Sequence, residues 1–167
     1  MTADRTGRAN RRTPRGKPLS IAVFGISGAT AVLLRRAARQ TLVSRGRRHG
    51  HLEISIVNAI EMSRLHDLWK KVRGPTDVLT FDLRERRSRG LVEGEIIVCK
   101  DVACKQAAQR DVSLRAELAL YVVHGCLHLC GLNDHTASAA ARMHRAEDAL
   151  LVSLGVGPVY YVGDSRK

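Results

Sequence analysis

A chain of 167 residues suits a single domain and is long enough to bury a real core. Lysine and arginine number 28 against 16 acidic residues, and the formal net charge of +12 favours a polyanion, either a nucleic acid or an anionic membrane surface. No internal repeat and no second domain are visible, and a single-domain architecture is expected.

In chain order, residues 1–18 are rich in Arg, Thr, Gly and Pro, and six of the chain's basic residues lie between Arg5 and Lys17. With so few apolar groups the stretch cannot pack, and it is predicted to be a disordered basic tail ahead of a domain spanning 19–163. Leu19 to Leu34 is apolar and follows positive charge, as a secretory signal does. Ser27, Gly28 and Thr30 interrupt it, it is short for a membrane span, and no clear small-residue cleavage site precedes Arg35-Arg36. No membrane association and a cytoplasmic location are therefore expected.

Split at Gly25 to Gly28, the same stretch predicts a strand over Ser20 to Phe24 and a helix from about Ala29 to Ser44. Leu33, Leu34, Ala37, Ala38 and Thr41 form that helix's inner face, and Arg35, Arg36 and Arg39 point to solvent. Leu52, Ile54 and Ile56 alternate in a strand predicted over His51 to Ile60. Glu61 to Lys71 reads as a short helix with Met62, Leu65, Leu68 and Trp69 on its apolar side. Pro75 stops it, and Thr76 to Leu83 gives the next strand. A charged turn from Arg84 to Gly90 leads to a strand at Gly94 to Cys99 that pairs with its predecessor as a hairpin. Asp101 is read as the cap of a helix ending near Gln109, Ser113 as the cap of a buried helix reaching Leu129, and Thr136 as the cap of a last helix carrying Met143 and Leu150. The expected fold is α/β (α+β), one four-stranded mixed sheet with about five helices, and a metal site at the end of a core helix.

That site is His124-Gly-Cys-Leu-His128, followed by Gly131, Asp134 and His135. Two histidines four residues apart lie on one helix face and can share a cation. Such a pair also arises by chance. Here Leu114, Leu118, Tyr121 and Val122 recur at helical spacing and mark a core helix, and buried imidazoles need partners. Gly131 can take the left-handed conformation that ends a helix, returning Asp134 or His135 to the pair. Three ligands of this kind leave a metal position open, as in catalytic zinc sites. In zinc proteases the residue after the first histidine is the general-base glutamate of H-E-x-x-H; here it is Gly125, which speaks against a protease. Cys126 and Cys130 fall roughly 200° around the helix from the histidines, by the ~100° advance per residue. With Cys99 and Cys104 they are read as small thiols in a reducing compartment and not as a four-cysteine zinc site.

Three stretches resemble the YbeY family of bacterial endoribonucleases and rRNA maturation factors. They are Pro75-Thr-Asp-Val-Leu-Thr-Phe81, like the family's P-T-D-V-L-S-F; Gly94-Glu-Ile-Ile-Val98, like its G-D-I-x-I; and His124-Gly-x-Leu-His-Leu-x-Gly131, like its H-G-x-L-H-L-x-G. Only the last is highly specific by itself, and the resemblance spans roughly Ile54 to Leu151. The family continues G-Y-D-H, which would put a third histidine at position 134, where this chain has Asp134 with His135 one residue later. Either the carboxylate of Asp134 is the third ligand, or one residue is inserted and His135 remains it. A family methionine commonly follows the third ligand by nine residues, and Met143 stands nine beyond Asp134, which favours Asp134 with His135 as the alternative. The family arginine five residues before the proline, implicated in RNA cleavage, is Lys70 here, with Arg73 close enough in sequence to substitute. Lysine keeps the charge and loses the planar fork. On Lys70 and Arg73 the bland alternative is a pair of solvated charges at a helix end, and Thr76 and Asp77 either position the site loop or form a structural turn.

The resemblance implies one Zn2+ per chain and hydrolysis of phosphodiesters in single-stranded RNA, with Lys70 or Arg73 binding phosphate and acting in catalysis. It also implies a role in maturing the 3′ end of the small-subunit rRNA during ribosome biogenesis, with the small ribosomal subunit and its proteins as partners. The rival is a non-catalytic rRNA-binding assembly factor with a structural metal.

Overall fold

The structure is a computed structural model and describes residues 17–85 and 90–160. Residues 1–16 of the expected tail, 86–89 of the expected turn and 161–163 at the end of the expected domain lie outside the described residues. Nine elements follow one another: β1 (Ser20–Phe24), α1 (Gly28–Ser44), β2 (His49–Val57), α2 (Ala59–Lys70), β3 (Val78–Asp82), β4 (Leu91–Cys99), α3 (Lys100–Arg110), α4 (Leu114–Leu129) and α5 (Ala137–Ser153). The α/β expectation of a four-stranded mixed sheet with five helices holds.

The strands lie in the order β1-β2-β4-β3. β1 and β4 both run parallel to β2, with Ile21 beside Leu52 and Ile54 beside Ile96, and β3 runs antiparallel to β4 with Thr80 beside Ile96. The expected hairpin of β3 and β4 therefore forms, and β4 becomes a central strand. Its run Ile96 to Cys99 is buried at every position, as expected of a strand covered on both faces. Leu52, Ile54, Val92, Ile96 and Val98 pack with α1 and α4 in the main core. Leu79, Ile97 and Cys99 face the other way and meet Met62 of α2 in a smaller cluster.

Sheet placement explains the differences from the sequence reading. α2 covers only the small cluster, so Met62 is fully buried while Leu68 and Trp69 of its expected apolar side are 52% and 61% exposed. β2 starts at His49 and stops at Val57 because its ladder follows β4 from Leu91 to Cys99, and Asn58 then caps α2 by accepting from the Glu61 amide at 2.9 Å. β3 is shorter than the hydrophobic pattern, Val78–Asp82, because the chain before it is a loop closed by His66 Nδ1 on the Gly74 carbonyl at 2.8 Å. Asp101 does not cap α3: it sits inside that helix, and its Oδ2 accepts the Ala59 amide of α2 at 2.7 Å, a cap supplied from another element. On α1 the inner face is Ala31, Leu34, Ala37, Ala38, Thr41 and Leu42, with Leu33 only partly buried. On α5 the buried apolar side chains are Ala139, Met143 and Leu151, with Leu150 at the margin of the core.

α4 is the central helix. Every residue from Ala116 to Val123 is buried, Glu117 included, so the helix is covered all round and packs on α1, α3, α5 and the sheet. Ser113 accepts from the Ala116 amide at 3.2 Å and starts it. At its other end Gly131 takes a φ of 94°, the Gly131 amide bonds the His128 carbonyl at 2.8 Å and the Leu132 amide bonds the Leu127 carbonyl at 3.1 Å. This is a Schellman turn, which reverses the chain beside the histidines. Thr136 then accepts from the Ala139 amide at 3.2 Å and opens α5.

Candidate functional site

His124 and His128 project from the last two turns of α4. His124 Nδ1 lies 2.7 Å from Glu147 Oε1, and His128 Nδ1 lies 3.0 Å from the Leu132 carbonyl. Both partners only accept, so each Nδ1 carries the ring proton and each neutral ring turns a lone pair outward from Nε2. Those two Nε2 atoms stand 2.9 Å apart, with the rings edge to face at 87°. Two nitrogens at that distance face each other across either a shared proton or a bound metal ion, and a carboxylate or carbonyl behind a ligating histidine is the usual arrangement at metal sites. The Schellman turn returns Asp134, and ligand atoms of His124, His128 and Asp134 all fall within 4.8 Å of one another. These three can hold a metal ion, and the donor set of two imidazoles and a carboxylate fits zinc.

Asp134 is solvent-exposed, whereas the imidazoles are partly buried, so an ion here has one side open to solvent. His135 lies outside the group and has its amide on Asn133 Oδ1 at 3.4 Å. Burial opposes the charging of His124, but the Glu147 hydrogen bond and the nearby carboxylates of Glu147, Asp134 and Asp77 outweigh it and raise its pKa. Burial and the neighbouring His124 lower that of His128. One ring is thus tuned towards charge and the other away from it.

The histidines open into a pocket of about 530 Å³ whose wall includes Lys70, Asp77, Thr80, Asp134, His144 and Tyr160. Lys70, exposed at the end of α2, reaches this pocket around the edge strand β3. Arg73 is exposed and is not part of the wall. Asp77 forms the structural turn, its Oδ1 accepting the Val78 amide at 2.7 Å and the Thr76 hydroxyl at 3.1 Å, and the residue lines the pocket. Arg84 pairs with Asp82 and donates to the Leu129 carbonyl at 3.3 Å, fixing the C-terminal end of α4 and favouring its dipole.

Sequence reasoning missed Glu147, His144, Tyr160 and Thr80. Glu147 left a signal, a lone carboxylate between Met143 and Leu151 on a buried stripe, each four residues from it. The His144 and Tyr160 rings stack at 3.9 Å, with Tyr160 held because Asp148 Oδ1 accepts the Val159 and Tyr160 amides at 2.8 and 3.2 Å. The Thr80 hydroxyl is buried without a hydrogen-bond partner among the described residues. Gly125 packs against the sheet, where a Cβ would come within 2.9 Å of Ile96 Cδ1 and Thr80 Oγ1, so no glutamate fits there and the protease reading fails on space as well as chemistry. All four cysteines are free.

Comparison with known proteins places the chain in a family. The family described as endoribonuclease YbeY matches residues 25–155. A protein named endoribonuclease YbeY from Anaeromyxobacter is 30% identical over 151 residues, covering 90% of this chain and 73% of that one. One of the same name from Nocardioides is 33% identical over 146 residues, covering 81% of this chain and 97% of its own. A Thermotoga maritima protein solved in solution shares the fold, with a TM-score of 0.57 and 24% identity over 89% of this chain and all of its own. The chain belongs to the endoribonuclease YbeY family, whose members are named for hydrolytic cleavage of RNA.

Proposed function

We propose that this protein is a zinc-dependent endoribonuclease that hydrolyses single-stranded RNA, acting in the cytoplasm on rRNA during late maturation of the small-subunit 3′ end. The observation that carries the reading is the convergence of His124 Nε2, His128 Nε2 and Asp134 in one pocket with Lys70 on its wall. His124, His128 and Asp134 would hold the ion, and an ion bound there would supply Lewis-acid chemistry, polarising a phosphoryl oxygen and making water a better nucleophile at neutral pH. Glu147 and the Leu132 carbonyl keep both imidazoles in the liganding tautomer. Lys70 balances the charge that grows on the phosphate oxygens, and Arg73 contributes to the field that gathers the strand. No helix among the described residues is long and apolar enough to cross a membrane.

The experiment is zinc content together with cleavage of a single-stranded RNA for wild type, Asp134→Ala and His135→Ala, with circular dichroism as the fold control. Loss of metal and cleavage in Asp134→Ala alone is expected. Loss in His135→Ala alone would move the third ligand. Zinc binding without cleavage, even with added small ribosomal subunits, would replace the enzyme by an rRNA-binding assembly factor with a structural metal.

A further inference from the structure

We propose that the exposed face of Trp69 is a stacking subsite for one unpaired base of the RNA strand that enters the pocket past Lys70; the inference rests on the nuclease reading above. Trp69 is the chain's single tryptophan and is 61% exposed in the last turn of α2. Its ring leans on Phe81 of β3, centroids 5.4 Å apart at 60°. That contact holds the indole while leaving much of it to solvent.

Both neighbours of the pair lead to the pocket. Lys70 follows Trp69 and lines the pocket, and Phe81 stands between Thr80 and Asp82, which line it as well. Successive residues of a strand point to opposite faces, so Phe81 and the indole sit across the edge strand β3 from the metal-site wall. Trp69 and Lys70 diverge by about 100° around the last turn of α2, so a strand whose phosphate meets Lys70 and that continues over the β3 edge carries its next nucleotide towards Trp69. Along the end of α2 the charge is basic, with Lys70, Lys71 and Arg73 exposed against the single carboxylate of Asp67 in the stretch 66–73, while Glu95, paired with Phe81 across the sheet, is the acidic group on the other side of the ring pair. Leu68 and Val72, 52% and 49% exposed, widen the apolar surface beside the ring. A large exposed aromatic flanked by cations is the combination that binds single strands with little sequence preference, the base on the ring and the backbone on the charges. The flanking charge favours RNA over an apolar protein surface as the occupant.

The test titrates the zinc-loaded full chain with a cleavage-resistant 2′-O-methyl oligoadenylate of about ten nucleotides and with an abasic oligomer of equal charge, following tryptophan emission. Cleavage of an unmodified RNA is measured in parallel. The expected result is saturable quenching by the base-bearing oligomer alone. Affinity for it falls about ten-fold in Trp69→Ala and recovers in Trp69→Phe, which keeps an aromatic face over Phe81. Wild-type emission serves even if Trp69→Ala does not fold. Equal quenching by the abasic oligomer, or unchanged affinity in Trp69→Ala while wild type still cleaves RNA, overturns the subsite alone and leaves the patch to a protein partner. Wild type that neither binds nor cleaves RNA overturns the nuclease reading and the subsite with it.

Discussion

Glu147 Oε1 stands 2.7 Å from Nδ1 of His124, across 23 residues of chain, and joins α5 to the end of α4 where the candidate ligands converge. Glu147 is fully buried, and its second carboxylate oxygen has no partner among the described residues. Among the described residues its hydrogen-bond partner is therefore the imidazole. Glu147→Gln keeps the shape and removes the charge. Zinc affinity, read by competition with a chromophoric chelator, is expected to fall about 10–100-fold while the circular dichroism spectrum stays that of wild type. Equal affinity in the variant would mean that the carboxylate does not tune the site.

Lys70 lines the pocket and Arg73 does not, which separates two roles that sequence alone left together. Lys70→Ala should lower kcat/KM for RNA about 10–100-fold, and Lys70→Arg should retain most of it. Arg73→Ala should weaken binding a few-fold and reduce the slope of log affinity against log salt by about one. The opposite ranking would place the phosphate at Arg73.

The pair of Arg110 and Glu117, 2.7 Å apart, links the end of α3 to α4 with the glutamate fully buried. Burial raises the Glu117 pKa, and Arg110 only partly opposes it. A carboxyl whose folded pKa is raised contributes stability below its unfolded value of 4.5 and loses that contribution as pH rises through the folded value. Glu117→Gln cannot ionise and still accepts a hydrogen bond from Arg110. Thermal melts from below that pH upward should show the variant gaining on wild type as pH rises. Parallel curves would show that the ion pair offsets the burial.

At Gly125 α4 packs closely on β3 and β4. Gly125→Ala should cost about 1–3 kcal/mol in denaturant melts through overpacking. Gly125→Glu, which completes the protease motif on paper, should fail to fold and give no peptidase activity. A folded, stable Gly125→Glu protein would show that the helix can slide away from the sheet.

Much of this protein was legible along the chain because the physics involved is local. Helical spacing put His124 and His128 on one face, Ser113 and Thr136 capped the helices assigned to them, and the freedom of Gly131 at positive φ stopped α4 and turned the chain back. Each of those interactions spans a few residues, so spacing alone specifies it. Only the tertiary structure decided that β4 lies between β2 and β3, that Asp101 caps α2 and not its own helix, and that α2 leaves Leu68 and Trp69 in solvent. Glu147 behind His124 and Lys70 on the pocket wall belong to the same class. An amphipathic pattern says that a face is buried, but which face of the sheet receives it, and which distant side chain it meets there, depends on how whole elements pack.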